Sequence, residues 1–236
     1  MVEKNGDYPV THVRVYRRTT VLLKRAPLPS KNRLLEPRGC ISTFTMRSRQ
    51  RMIFHALNSV NDWLSMVTLT YPLQWPSDGK IVKKHLQEIL RGCKLRSFSV
   101  LWVMEYQTRG APHFHLLCSV PPSHTGWMRP LWSHALDTDD RRHLKRGFHV
   151  TPLQHSQENN LGMCVYLATH GAKKHQKTVP PGVTNSGRWW GKVNLHIAPP
   201  VVHDTDTYGA IQALGVTSIS SKGKTRKYVH VIPQIH

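Results

Sequence analysis

The run Glu105-Tyr-Gln-Thr-Arg-Gly-Ala-Pro-His113-Phe-His115 lies between two apolar stretches, Ser99 to Met104 and Leu116 to Val120. Val100, Trp102, Val103, Phe114, Leu116 and Leu117 favour strand, and Arg109-Gly110-Ala111-Pro112 is turn chemistry, so the run predicts a β-hairpin. Side chains alternate along a strand, which sends His113, His115 and Leu117 to one face and Phe114, Leu116 and Cys118 to the other. A turn near Arg109 and Gly110 pairs residues whose numbers sum to about 218 to 220, so Glu105 lies opposite His113 or His115. One carboxylate and two imidazoles then converge, a mixed O/N set suited to a divalent cation. A chain with 16 His yields some His-x-His triplets by chance; Glu105 across the turn lifts this one above coincidence. A cupin would need a Glu shortly after the second His, where Leu116-Leu-Cys-Ser-Val-Pro121 stands instead.

With 236 residues, the natural expectation is one domain of about 150 to 200 residues carrying basic extensions. The balance of 33 Lys+Arg against 13 Asp+Glu, net +20, asks for a polyanionic partner. Because the basic residues are spread along the chain, nucleic acid fits better than an anionic membrane surface. No apolar run reaches the ~18 residues of a membrane span, and Met1 to Pro9 offers no signal-peptide core, so a cytoplasmic location is expected. Cys40, Cys93, Cys118 and Cys164 form no C-x-x-C pair, which suits reduced, mostly buried thiols.

Residues 1–44 read as a basic, proline-punctuated extension with strand-like pieces at His12 to Arg17 and Thr19 to Leu23. Its cations serve equally as phosphate contacts or as a solubilising arm. Ser42 or Thr43 is placed to cap a helix over about 45–60. Ser65-Met-Val-Thr-Leu-Thr-Tyr71 is a strand stopped by Pro72. Lys80 to Leu95 has apolar Ile81, Val82, Leu86, Ile89 and Leu90 at helical spacing, with Lys83, Lys84 and Arg91 off the stripe. Trp127 to Leu136 is a short helix or lid, with Trp132, like Trp102, in the core. Phe148 to Leu153 is a strand weakened by Pro152. Residues 45–200 form the main domain. Residues 201–236 form a C-terminal extension: a short helix over 204–214, then a hairpin of Gly215 to Ser220 with Arg226 to Ile232. Gly223-Lys224-Thr225 imitates a phosphate-binding loop, but Ser218 stands where that loop needs Gly, so a nucleotide site is rejected.

Asn159 to Lys174 predicts a helix burying Leu161, Cys164, Val165, Leu167 and Ala168. Tyr166, His170, Lys173, Lys174 and Lys177 recur along one side of it. That stripe suits a phenol held near a phosphodiester with cations for the phosphate; the alternative is a rim tyrosine beside solvated lysines.

Three stretches in this order, Thr68-Leu-Thr-Tyr-Pro72, Glu105 with His113-Phe-His115, and the Tyr166 helix with its lysines, resemble the HUH-endonuclease superfamily. The resemblance is to rolling-circle replication initiators (Rep) of plasmids and phages, and spans about residues 64–192, including Gly187-Arg-Trp-Trp-Gly191. Some relatives carry a second Tyr four residues after the nucleophile. Here that position is His170, which implies a single-tyrosine enzyme. Relaxases fit less well, since their Tyr usually precedes the His motif.

Strands and helices mix without a regular βαβ rhythm and the one secure hairpin is antiparallel, so the expected fold is α+β with an antiparallel sheet of four or five strands. The resemblance implies the ferredoxin-like, palm-type topology. His113 and His115 are expected on a central strand, with the principal helices on one face. It implies Mg²⁺ or Mn²⁺ on Glu105, His113 and His115. Tyr166 is the implied nucleophile, assisted by Lys173 or Lys174, and leaves a 5′-phosphotyrosine. Thr70, Tyr71, Trp75, Arg109, Arg188, Trp189 and Trp190 are the candidate DNA contacts. The implied partners are single-stranded DNA at an origin, linear or in a hairpin, and a separate helicase and polymerase in a prokaryotic cell. An HUH transposase and a non-catalytic basic nucleic-acid-binding protein are the alternative readings.

Overall fold

The computed structural model describes residues 10–17, 19–24, 41–153, 178–203, 219–220 and 229–231. In chain order, strands β1 (Val10–Val15) and β2 (Thr20–Lys24) precede helix α1 (Met46–Leu57). Strand β3 (Ser65–Thr70), helix α2 (Gly79–Leu95), and strands β4 (Val100–Tyr106) and β5 (Pro112–Cys118) follow. Helices α3 (Met128–Ala135) and α4 (Arg141–Arg146) lead to β6 (Phe148–Pro152) and β7 (Trp190–Val193). Short strands β8 (Val201–His203), β9 (Ile219–Ser220) and β10 (Val229–Val231) complete the order.

The chain divides into two compact units. Residues 1–37 and 197–236 make one, whose described strands form an antiparallel sheet in the order β8-β1-β2-β10-β9. The β9–β10 pairing falls within the hairpin expected near the C-terminus, but its partner β2 comes from the other end of the chain. The helix expected over 204–214 lies outside the described residues.

Residues 38–196 make the second unit, α+β as expected, with the sheet order β6-β3-β5-β4-β7, antiparallel throughout. The chain runs β3-α2-β4-β5-α3-α4-β6, the split βαββαβ arrangement of ferredoxin-like folds, with β7 added beside β4. The β5 strand is central and carries both histidines.

Local chemistry accounts for these elements. Asp78 caps α2, its carboxylate accepting from Lys80 N at 2.9 Å, and that bond holds the carboxyl below its ordinary range. Thr45, rather than Ser42 or Thr43, caps α1, accepting from Ser48 N at 3.3 Å. The α2 helix buries Val82, Leu86, Ile89 and Cys93, while Ile81 stays exposed. At the β4–β5 turn, Gly110 has φ +84°, a left-handed conformation costly for any residue with a Cβ. Opposite Trp102, Gly191 leaves room for the indole: a Cβ there would come within 2.7 Å of Trp102 Nε1.

Phe114, Trp102 and Met104 line one face of the sheet, where α2 reaches them through Lys83 and α3 through Trp132. The expected placement of the principal helices on one face holds for α2 and α3. Helix α1 instead joins the opposite face, where Trp190 Nε1 donates to Ser48 Oγ at 3.0 Å. Cys93 and Cys118 are free and buried, and burial pushes the Cys93 thiol up to about 12.

Candidate active site

The hairpin register is Glu105↔His113, with Val103↔His115 one step along. On the other side of β5, Thr70 pairs with His113 and Thr68 with His115. Strand alternation therefore gathers Glu105, His113, His115, Thr68 and Thr70 on one face. His115 Nε2 lies 3.8 Å from Glu105 Oε2, and the two imidazole centroids are 4.5 Å apart. Glu105 is 4% exposed and His115 9%, so their polar atoms need partners inside the protein.

Each imidazole is also held from β3. Thr68 Oγ1 is 3.2 Å from His115 Nδ1, and Thr70 Oγ1 is 3.1 Å from His113 Nδ1. Thr70 is itself clamped: its carbonyl accepts from Trp132 Nε1 at 3.1 Å and His143 Nε2 at 2.7 Å, and its N–H donates to Gly147 O at 2.8 Å. The sequence reading missed His143. It is buried, and its Nδ1 has no partner among the described residues.

Among the described residues, no group of three His, Cys, Asp or Glu side chains forms a ready-made ion cage. The donor chemistry nonetheless fits a cation. Two ligands each about 2.1 Å from an ion lie about 3.0 to 4.2 Å apart as their angle opens from a right angle to a line. The Glu105–His115 separation falls inside that window. The threonine hydroxyls fix the orientation of the two rings, as outer hydrogen-bond partners do for histidines in metal sites generally.

Arg109 holds the rim. Its guanidinium donates to Tyr71 O and Pro72 O, both at 2.7 Å, and to Gln107 Oε1 at 2.9 Å, and it lies 4.8 Å from the Trp75 ring centroid. Three of its five N–H groups are thus spent on the protein, leaving two for a phosphate. A lysine cannot span this fork. Arg109→Lys is expected to speed limited proteolysis of the 72–77 loop about tenfold, read by mass mapping of the cut sites. Unchanged cleavage would show that the loop holds itself.

The other candidate DNA contacts separate by burial. Arg188 is exposed and Trp75 half-buried, so both present surface. Thr70 is occupied with His113. Tyr71 is corrected to core: it is 2% exposed, bonds His85 Nδ1 at 2.9 Å and meets Trp132 edge-on. Trp189 is likewise core, 3% exposed, stacked on Phe44 and edge-on to Tyr106. Trp190 is half-buried against α1. Trp102 and Trp132 are buried, as expected. Tyr166, His170, Lys173 and Lys174, with the helix expected around them, lie outside the described residues.

No helix among the described residues is long and apolar enough to cross a membrane. No curated protein and no solved structure matches the chain. One family model does match, that of the replication-associated protein ORF2 family, over residues 64–175. The match runs from the residue before β3 through the whole βαββαβ unit, and takes in Glu105, His113, His115 and Tyr166. Over this segment the chain matches the replication-associated protein ORF2 family, consistent with a Rep-type initiator of rolling-circle replication.

Proposed function

We propose that the protein is a single-stranded DNA endonuclease and strand transferase, specific for the sequence or structure of an origin, that starts rolling-circle replication. The observation that carries this reading is the convergence of Glu105, His113 and His115 on one face of the central hairpin, backed by Thr68 and Thr70. The family match to replication-associated proteins supports it.

In this reading the Tyr166 phenolate attacks the scissile phosphorus. A tyrosine–phosphorus bond forms, the bond to the 3′ oxygen breaks, and that oxygen leaves as a 3′-OH after taking up a proton. A free phenol has a pKa of about 10, so Lys173 or Lys174 stabilises the phenolate. Glu105, His113 and His115 would hold Mg²⁺ or Mn²⁺, which would supply Lewis-acid withdrawal of charge from the phosphate. The covalent bond conserves the phosphoester energy, so rejoining by the reverse step needs no ATP. Trp75, Arg109 and Arg188 grip the unpaired strand. Unwinding and synthesis fall to a separate helicase and polymerase.

The test is incubation of labelled single strands, tiled across the genetic element that encodes the protein, with Mn²⁺ or with EDTA. Metal-dependent nicking at one position is expected. Binding without cleavage on every strand would leave a nucleic-acid-binding protein in place of the enzyme.

A further inference from the structure

The β7 strand lies at the edge of the sheet beside β4, with Trp190 opposite Val103 and Lys192 opposite Leu101. Leu101, Val103 and Glu105 alternate onto the same face, so Trp190 and Lys192 share the face of the candidate active site. Helix α1 lies against this edge: Trp190 Nε1 donates to Ser48 Oγ, Lys192 Nζ donates to His55 Nδ1 at 3.4 Å, and the His55 ring is 5.6 Å from that of Trp190. Together α1 and β7 carry Arg47, Arg49, Arg51, His55 and Lys192 and no Asp or Glu. Arg49 is engaged with Phe44, through its carbonyl and its ring, whereas Arg47, Arg51 and Lys192 are exposed.

Burial first, then the charges of Lys192 and Arg51, bring the His55 imidazole down to about 4. It is neutral at pH 7, a ring crowded by cations with no acid on either element. An arriving anion relieves that crowding.

We infer that the α1–β7 edge is a docking track for the DNA strand running from the candidate active site, with Arg51, His55 and Lys192 holding a phosphate beside Trp190. This rests on the proposed nuclease reading for the identity of the strand. Interleaved cations and an aromatic ring suit single-stranded nucleic acid. The track is continuous with the site: β7 is two strand spacings, about 10 Å, from β5. That distance corresponds to about three stacked nucleotides.

The test is fluorescence anisotropy with two single-stranded oligonucleotides, one ending at the nicking position and one extending about eight nucleotides past it on both sides. The double variant Arg51→Gln/Lys192→Gln is compared with Lys145→Gln, an exposed lysine of α4, and thermal unfolding verifies that each variant folds. The double variant is expected to lose at least about tenfold affinity for the long strand and little for the short one. Its log affinity against log salt should flatten by about 1.4, the loss of two phosphate contacts on a single strand. Equal loss on both strands, or a loss no larger than that of Lys145→Gln, overturns the track. Should the wild-type protein never cleave, the nuclease reading fails, and the pair is built instead on the tightest-binding strand of the tiled set, as it stands and lengthened by about eight nucleotides. A loss confined to the longer strand then keeps the track, and an equal loss on both overturns it.

Discussion

Glu105→Gln is expected to lower metal-dependent nicking by about 10²- to 10³-fold, the rate equivalent of losing several kcal/mol of Lewis-acid assistance. The substitution keeps the shape of a side chain that is 4% exposed and removes the charge facing His115 Nε2 at 3.8 Å. Packing is preserved, so the loss reports on chemistry. Thr70→Val extends the same experiment: it deletes the hydroxyl 3.1 Å from His113 Nδ1 and is expected to cost about 10- to 100-fold in apparent metal affinity. Nicking rates across a Mn²⁺ titration separate the two, since the first variant fails at every concentration and the second recovers at high metal. A Glu105→Gln variant with the wild-type rate would remove the carboxylate from the proposed site.

Lys83→Met is expected to stabilise the protein by several kcal/mol at pH 7. Lys83 comes from α2 into the layer opposite the histidines, its Nζ 2.8 Å from Met104 Sδ and over the rings of Trp102 and Phe114. Burial pulls its pKa from 10.5 down to about 7. The two ring faces favour the cation by on the order of 2 kcal/mol, less than the desolvation that opposes it. Between pH 7 and 10.5 the unfolded chain binds a proton at this site that the folded chain does not. Stability therefore rises with pH across that window, by about 1.4 kcal/mol per unit, and is flat below pH 7, where both states are protonated. Methionine fills similar space without a charge, so the variant should lose this pH dependence. Urea unfolding at pH 7 and pH 9 measures both effects. A wild-type protein equally stable at the two values would mean that the amine keeps its charge.

The hairpin was legible because its rules are local. A turn at Arg109 and Gly110 with period-two alternation is enough to place Glu105 across from His113. The order helix, strand, helix, strand, strand followed from apolar spacing between clear breaks. Lys83 was not legible. It stands next to Val82 on α2, off the apolar stripe, and only the crossing of that helix over Trp102 and Phe114 turns it inward. Tyr71 and Trp189 read as surface aromatics because their partners, His85, Trp132, Phe44 and Tyr106, come from separate elements. The clamp of His143 on Thr70 spans 73 residues, and the pairing of β2 with β10 joins the two ends of the chain. Spacing cannot show contacts of that range.

The proposed chemistry turns on whether Tyr166 becomes covalently joined to DNA. The most direct measurement is a denaturing gel of the protein with labelled origin strand in Mn²⁺ and in EDTA, followed by peptide mapping of the adduct and a repeat with Tyr166→Phe. The account predicts a metal-dependent adduct mapped to Tyr166 and lost in the Phe variant, with strand binding retained. An adduct that persists in Tyr166→Phe, or maps to another residue, would contradict it.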